Sequence, residues 1–339
     1  MQPVQNCNKD IQNTNPSSKE LVPSSKSSQH SFSPFSANSL QIDSSQGFGY
    51  GCVYYSQKHN MIIASPRGKT IQFYDATTLL PLKDRKSLKV DDVVKKISAQ
   101  EKTDILIIQS SSGSLYLYNI DTHTMEETPK DSEADVSTVE FVNPTSYAFS
   151  MFQSNELYIG SLENREGLKY GSVDSDSRYL HRLPKSPLLL SSLDNGSVLI
   201  YRTDRLPQLP IIGRFQGERV WESVVFPQSF MMNGKEYVAT IAQEKAIEIW
   251  GMTKGRMKLV KVIQTEKRIC SFVYLERYKM IAVVYPSRYV EFFKVLSGKL
   301  EKRFEMKIND ARSMFLMKDR NMIGVVSFYQ GIIEFIQLQ

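Results

Sequence analysis

A six-residue segment returns seven times along this 339-residue chain, and that recurrence restricts the possible folds more than any other feature. The segment alternates apolar and polar residues and, in its fullest form, closes on an aromatic and then a polar residue. The copies are Thr70–Asp75, Ser114–Asn119, Glu156–Ser161, Ser197–Arg202, Ala246–Gly251, Tyr289–Lys294 and Ile332–Gln337. Their starts are spaced by 44, 42, 41, 49, 43 and 43 residues. A fixed period in this range marks a repeat architecture, in which each unit buries its apolar faces against its neighbours.

Each copy has the same surroundings. A short apolar run precedes it, followed by a tight turn: Met61-Ile62-Ile63-Ala64 before Ser65-Pro66-Arg67-Gly68, and Leu188-Leu189-Leu190 before Asp194-Asn195-Gly196. Gly and Asn supply the positive φ that two-residue hairpin turns require. Further upstream lies another strand, such as Val136–Val142. Downstream lies a fourth and more polar one, such as Met257–Val262. No segment sustains a 3.6-residue apolar period, so helix is expected to be nearly absent. Four strands per repeat, the polar one outermost, describe one propeller blade. The expected fold is therefore all-β: a seven-bladed β-propeller of four-stranded antiparallel blades.

On period, strand order and the aromatic-polar ending, residues 36–339 resemble the WD-repeat family. Tyr74-Asp75 comes nearest to the family's Trp-Asp dipeptide, and the Gly-His dipeptide before the first strand is missing throughout. The resemblance is to a divergent member. The family's internal Asp-His-Ser-Trp hydrogen-bond network is not expected here, and the blades should be held mainly by apolar packing. The resemblance implies a docking function for other proteins. It also implies ring closure by an N-terminal strand, because the last blade supplies only three strands before the chain ends at Gln339. Ser39-Leu40-Gln41-Ile42-Asp43 has the right alternation to be that strand and to cover an otherwise open edge. Residues 1–35, rich in Ser, Asn, Gln and Pro, read as a disordered tail with a Ser33-Pro34 phosphorylation candidate.

Several function classes are disfavoured. Cys7, Cys52 and Cys270 are far apart, which argues against a disulfide framework or zinc knuckle. His30, His59, His123 and His181 are scattered as well, so no metal site is expected. The N-terminus lacks a basic and apolar leader, and no apolar run approaches a membrane span. A cytoplasmic setting is expected. Gly47-Phe48-Gly49-Tyr50-Gly51 looks like a phosphate loop but is followed by a strand, so it reads as the entry to blade one. No nucleophile elbow, zinc-protease motif or phosphate-loop lysine is present. The expectation is a protein that is not an enzyme, with no cofactor, no small-molecule substrate and no specific nucleic acid.

Charge carries the best functional clue. Residues 46–177 hold 13 basic and 18 acidic side chains, net −5, whereas residues 178–339 hold 26 and 15, net +11. In a ring these become an acidic side, concentrated at Asp131, Glu133 and Asp135, and a basic one. Lys254, Arg256, Lys258, Lys261, Lys299, Lys302, Arg303 and Lys307 concentrate the basic side as a rim on the outer strands of blades five and six. Such a rim steers acidic partners or an anionic surface. Gly213-Arg214-Phe215-Gln216-Gly217 is the nearest match to the Phe-Arg-Arg-Gly motif of phosphoinositide-binding propellers, but it has one arginine and lies on blade four.

The turns between second and third strands, with the links between blades, are expected to line the narrow opening. Arg67, Lys69, Arg178, Arg219, Lys245, Arg268, Arg288, Tyr289, Arg312 and Tyr329 fall there as protein-binding candidates. Tyr74, Tyr118, Tyr201 and Trp250, which end third strands, read as inter-blade packing. Phe230-Met231-Met232 has two readings, an exposed apolar hairpin tip or a hairpin folded onto its own blade. The expected function is a non-catalytic scaffold or adaptor subunit of a larger intracellular assembly. The alternative is a peripheral adaptor that meets phosphoinositide or other anionic lipid through the rim.

Overall fold

The computed structural model describes residues 35–41 and 48–338, apart from 67, 101–102, 129–134, 164–166, 173–174, 184–185, 207, 217–226, 243, 254–255 and 328. Residues 1–34 of the proposed tail, with Ser33-Pro34, and Ile42-Asp43, Asp131, Glu133, Arg67, Arg219 and Lys254 fall outside the described residues; Phe35, placed in the tail by its composition, instead opens the closing strand.

Seven four-stranded antiparallel sheets follow one another along the chain. The closing strand β1 (Phe35–Gln41) comes first. Blade one is β2 (Phe48–Ser56), β3 (Met61–Pro66), β4 (Thr70–Asp75) and β5 (Leu88–Lys89). Blade two is β6 (Val94–Ala99), β7 (Ile105–Ser110), β8 (Leu115–Asn119) and β9 (Thr124–Glu127). Blade three runs through β10 (Val136–Asn143), β11 (Ser146–Met151), β12 (Glu156–Ser161) and β13 (Gly167–Ser172). Blade four has β14 (Ser177–Leu183), β15 (Leu188–Leu193), β16 (Ser197–Arg202) and β17 (Ile211–Gln216). Blade five has β18 (Gln228–Met232), β19 (Lys235–Ala242), β20 (Ala246–Thr253) and β21 (Arg256–Gln264). Blade six has β22 (Ser271–Leu275), β23 (Met280–Val284), β24 (Tyr289–Lys294) and β25 (Leu300–Glu305). Blade seven has β26 (Ala311–Met317), β27 (Met322–Ser327) and β28 (Ile332–Gln337), with β1 beside β28 in the register Leu40 to Ile333. Among the described residues the only helical pieces are two 3₁₀ turns, Glu276–Tyr278 and Lys318–Arg320.

Burial within each blade follows from position. The second strands are covered on both faces by neighbouring blades, and all six residues of β15 are buried. The fourth strands face solvent, so β9 and β25 expose most of their residues. The core is consequently a series of layers between blades rather than one interior. Leu40, Val326, Ile333 and Phe335 pack on Ile62, Ala64 and Tyr74 of blade one. Ile71 and Phe73 pack on Ile108 and Tyr118 of blade two. The remaining layers include Ile107 with Phe141, Val142 with Leu180, and Ile200 with Val238. Tyr74, Tyr118 and Tyr201 are buried in these layers, and the half-buried Trp250 packs at the edge of one, in accord with a packing role.

Three blades share one close packing. Tyr147 lies opposite Gly160, Tyr237 opposite Gly251 and Phe315 opposite Gly324 in adjacent strands. A Cβ at Gly160 or Gly324 would meet the facing ring at 2.3 Å, so the missing side chain is what lets the aromatic lie across the strand.

The exposed-tip reading of Phe230-Met231-Met232 is corrected. Asn233 and Gly234, at φ 51° and 73°, close a two-residue hairpin, and Phe230 and Met232 turn into the layer between blades five and six. The Phe230 ring stacks on Tyr274 with centroids 4.1 Å apart. The burial gained inside the ring outweighs any exposed use of these side chains.

Candidate functional site

One face of the ring is formed by the turns between second and third strands together with the links between blades. The backbone stitches the two sets together all around the ring. Val90 N–H donates to Lys69 O, Ser111 to Val93 O, Phe152 to Asp135 O and Asp194 to Asp176 O. Ile269 donates to Glu244 O and Met306 to Arg288 O. Side-chain carboxylates in the links extend the pattern. Asp91 accepts from the Ser114 hydroxyl at 2.8 Å and from Ser112, Asp176 accepts from Gln153 N–H at 2.9 Å, and Asp310 accepts from the Ser327 hydroxyl at 2.6 Å. Burial alone would raise the Asp91 carboxyl, but the hydrogen bonds from Ser112, Ser114 and Tyr116 hold it well below the ordinary carboxylate range. These carboxylate bonds tie links to turns, from residues that the repeat pattern did not single out.

The candidate anchors sit on this face in different states. Arg178 makes a two-pronged ion pair with Asp194 and lies over the Phe152 ring, so it ties the start of β14 to the turns of blades three and four. Lys69 reaches the Asp91 carbonyl across its own link. Arg268 meets Glu244 at 3.4 Å and Arg288 meets Glu305 at 2.8 Å, both in exposed pairs. Lys267 and Arg303 flank the Tyr289 ring at 5.0 and 5.6 Å. Arg312 reaches toward the buried thiol of Cys270, whose titration burial pushes up. Lys245 and Tyr329 project into solvent, and the Tyr329 side chain is 59% exposed. Lys245, Arg268, Arg288, Tyr289 and Arg312 thus gather on blades five to seven. Lys69 and Arg178 stand apart on blades one and four.

The basic rim also sorts by position. Lys258 and Lys261 lie on β21 and Lys302 on β25, as the charge pattern placed them. Arg256 opens β21. Arg303 is on β25 but is paired with the buried Glu291 at 2.7 Å, and Glu291 also accepts from Tyr285 at 2.7 Å. Lys299 is in the turn before β25. Lys307 lies past its end, in the link to blade seven, so these two are not on an outer strand.

Two charged clusters escaped the sequence reading. Lys96 on β6 reaches the first strands of blades three and four, donating to Val139 O at 2.7 Å and lying 3.3 Å from Glu140 and 4.7 Å from the Tyr179 ring centre. Glu140 accepts from the Ser98 hydroxyl at 2.7 Å. His181, on the innermost strand of blade four, is half-buried beside this group, and the desolvation of its ring pushes the imidazole down to about 4. The cluster offers one carboxylate, already engaged by Lys96 and Ser98, and so lacks the paired carboxylates of acid–base hydrolysis.

The second cluster links blades one and two. His59, Asp104 and Asp121 bring their ligand atoms within 4.8 Å of one another. Lys58 occupies the carboxylates of Asp104 and Asp121, and its hydrogen bond, followed by that from His59, brings Asp104 down to about 2. The arrangement works as an ion-pair latch. A groove of about 700 Å³ beside β4 and β1 is lined by Leu40, Tyr74, Leu79 and Arg85 among others, without a carboxylate or imidazole. Arg85 there is committed to Ile120 O at 2.6 Å.

Fold and surfaces together define a seven-bladed β-propeller whose turn face and outer rim carry separate groups of basic side chains. Among solved structures, the chain is similar to the β-propeller domain of Myceliophteria thermophila Cps50 (Swd1). The TM-score is 0.71 at 12% identity, covering 88% of this chain and 98% of that one. That likeness shows the fold. Comparison with protein-family models and with curated proteins gave no match.

Proposed function

We propose that this protein is a non-catalytic interaction platform, a subunit of a larger assembly within the cell, which docks other proteins on its turn face. The observation that carries the reading is the stitching of turns to links around the ring. Loops fixed in this way lose little entropy on binding, so Arg and Tyr side chains projecting from them are pre-organised anchors. The concentration of Lys245, Arg268, Arg288 and Tyr289 on blades five and six supports that sector as the docking site for an acidic partner. The exposed pairs Arg268–Glu244 and Arg288–Glu305 are weak enough to be exchanged for partner contacts. Among the described residues no helix is long and apolar enough to cross a membrane.

Affinity capture of the full chain, with quantitative mass spectrometry, tests this. The double variant Arg268→Glu/Arg288→Glu should lose a reproducible set of proteins by at least about tenfold. A set that is retained unchanged moves docking off this sector. If no reproducible set is recovered, the platform reading fails.

A second reading, contact of the rim with an anionic membrane, is supported by a separate observation: exposed aliphatic side chains stand between the rim's lysines.

A further inference from the structure

We propose that the outer edges of blades four to six form one amphipathic strip that docks on an anionic bilayer by inserting aliphatic side chains between lysines. The inference rests on the membrane reading and names its mode, which is interfacial insertion rather than capture of a particular headgroup.

Exposed large apolar side chains are not spread evenly over the described residues. Of nine, six lie on this strip. Ile211 and Ile212 open β17. Leu259 and Val260 follow Lys258 on β21, and Leu296 and Leu300 flank the turn into β25. Val260 and Leu296 are 54% and 65% exposed, although each lies in a chain that buries aliphatics efficiently elsewhere. The three edges adjoin. Strands β17 and β21 are in contact, and Gly298, in the turn of blade six, lies against the stem of Lys261 on blade five. Glu301, an acidic side chain on β25, is neutralised by Lys294 at 2.9 Å.

Composition separates a bilayer from a protein partner. Protein interfaces are enriched in aromatics and arginine and depleted in lysine. The turn face has that character. The strip leans the other way: Ile, Leu and Val with Lys258, Lys261, Lys299 and Lys302, no exposed aromatic among its described residues, and arginines of which Arg303 is held by Glu291 and Arg214 by Ser197. Lysine stems lie along apolar surface while their ammonium groups reach anionic headgroups, and isolated aliphatics on a convex edge enter the headgroup–acyl boundary. Arg214 on β17 is turned to the Ser197 hydroxyl at 2.8 Å.

Co-sedimentation of the full chain with phosphatidylcholine vesicles, with and without phosphatidylserine, tests the strip. A third vesicle carries phosphoinositide at matched charge. Binding is expected to both anionic vesicles alike and not to phosphatidylcholine alone. Lys258→Glu/Lys299→Glu should lower partitioning by more than about tenfold. Leu259→Ser/Val260→Ser/Leu296→Ser, which keeps every charge, should lower it roughly tenfold. All of these side chains are exposed, and an unchanged melting curve verifies the fold of each variant. If the aliphatic variant binds like the parent, or phosphoinositide alone is bound, insertion is overturned while the membrane reading stands. If no vesicle is bound, both are overturned and the strip is left to an acidic protein partner.

Discussion

His181 is a half-buried imidazole on an innermost strand, with its Nε2 buried and without a hydrogen-bond partner among the described residues. Burial is the largest influence on it. Glu140 opposes that influence, Lys96 adds to it, and Tyr179 completes the surroundings. Burial holds the ring neutral in the folded chain, with a folded value near 4 against 6.5 unfolded. Below pH 6.5 the unfolded chain therefore takes up a proton that the folded chain refuses, and folding weakens as pH falls toward 4. The full effect is roughly 3 kcal/mol, reached once the pH has passed the folded value. Urea denaturation at intervals across this window should show the loss, and His181→Gln should remove up to one proton from its slope. An identical acid limb in the variant would mean that His181 is solvated in the folded chain. The polar character of these positions is visible in the sequence, as Val139-Glu140-Phe141 and Leu180-His181-Arg182. Their convergence is not, because it depends on which strands face the axis.

A single added element closes the ring. Strand β1 completes the last sheet by pairing with β28, and Leu40 enters the layer between blades seven and one. Without it, β28 would present an open edge and Ile333 and Phe335 would lose cover. Deletion through Gln41 should lower the melting temperature by several degrees relative to deletion through Phe32, which spares the strand. Equal melting of the two truncations would show that β1 contributes nothing to closure. The blades were legible at this scale because each obeys a local rule. Alternation marks the third strand, a continuous apolar run marks the second, and Asn or Gly marks the turn. Features that depend on two blades at once were not legible. The Gln153–Asp176 bond, the Lys58–Asp104 latch and the inward turn of Phe230 join residues from separate repeats, and no spacing in the chain announces them. The direction of Phe230 stays open in the sequence for a further reason: a run of three apolar residues beside a hairpin turn gives no sign of which of them face a neighbouring blade.

The whole molecule carries its two basic surfaces in different places, and this placement has a consequence that can be measured. Within blades five and six the lysine–aliphatic strip follows the outer edges, whereas Arg268 and Arg288 belong to the turns and links. The two groups approach at β25, where Glu305 pairs with Arg288 and Arg303 lies over Tyr289, but Lys258 opposite Gly251 and Lys299 beside Lys294 sit at the other ends of these outer strands, and surface charges farther apart than about 10 Å are largely screened at moderate salt. A partner on the turn face and a bilayer at the rim should therefore bind without competing. Vesicle-bound protein should capture the same partner set as free protein. Arg268→Glu/Arg288→Glu should leave vesicle sedimentation within about twofold of the parent, and Lys258→Glu/Lys299→Glu should leave protein capture equally unchanged, since distant sites act additively. Raised salt should weaken the vesicle arm first, because lysine attraction to a charged surface is long-ranged while a docked arginine is shielded by its partner. If either double variant abolishes both activities, the surfaces are parts of one site, and the division of the ring into a protein face and a membrane edge must be given up.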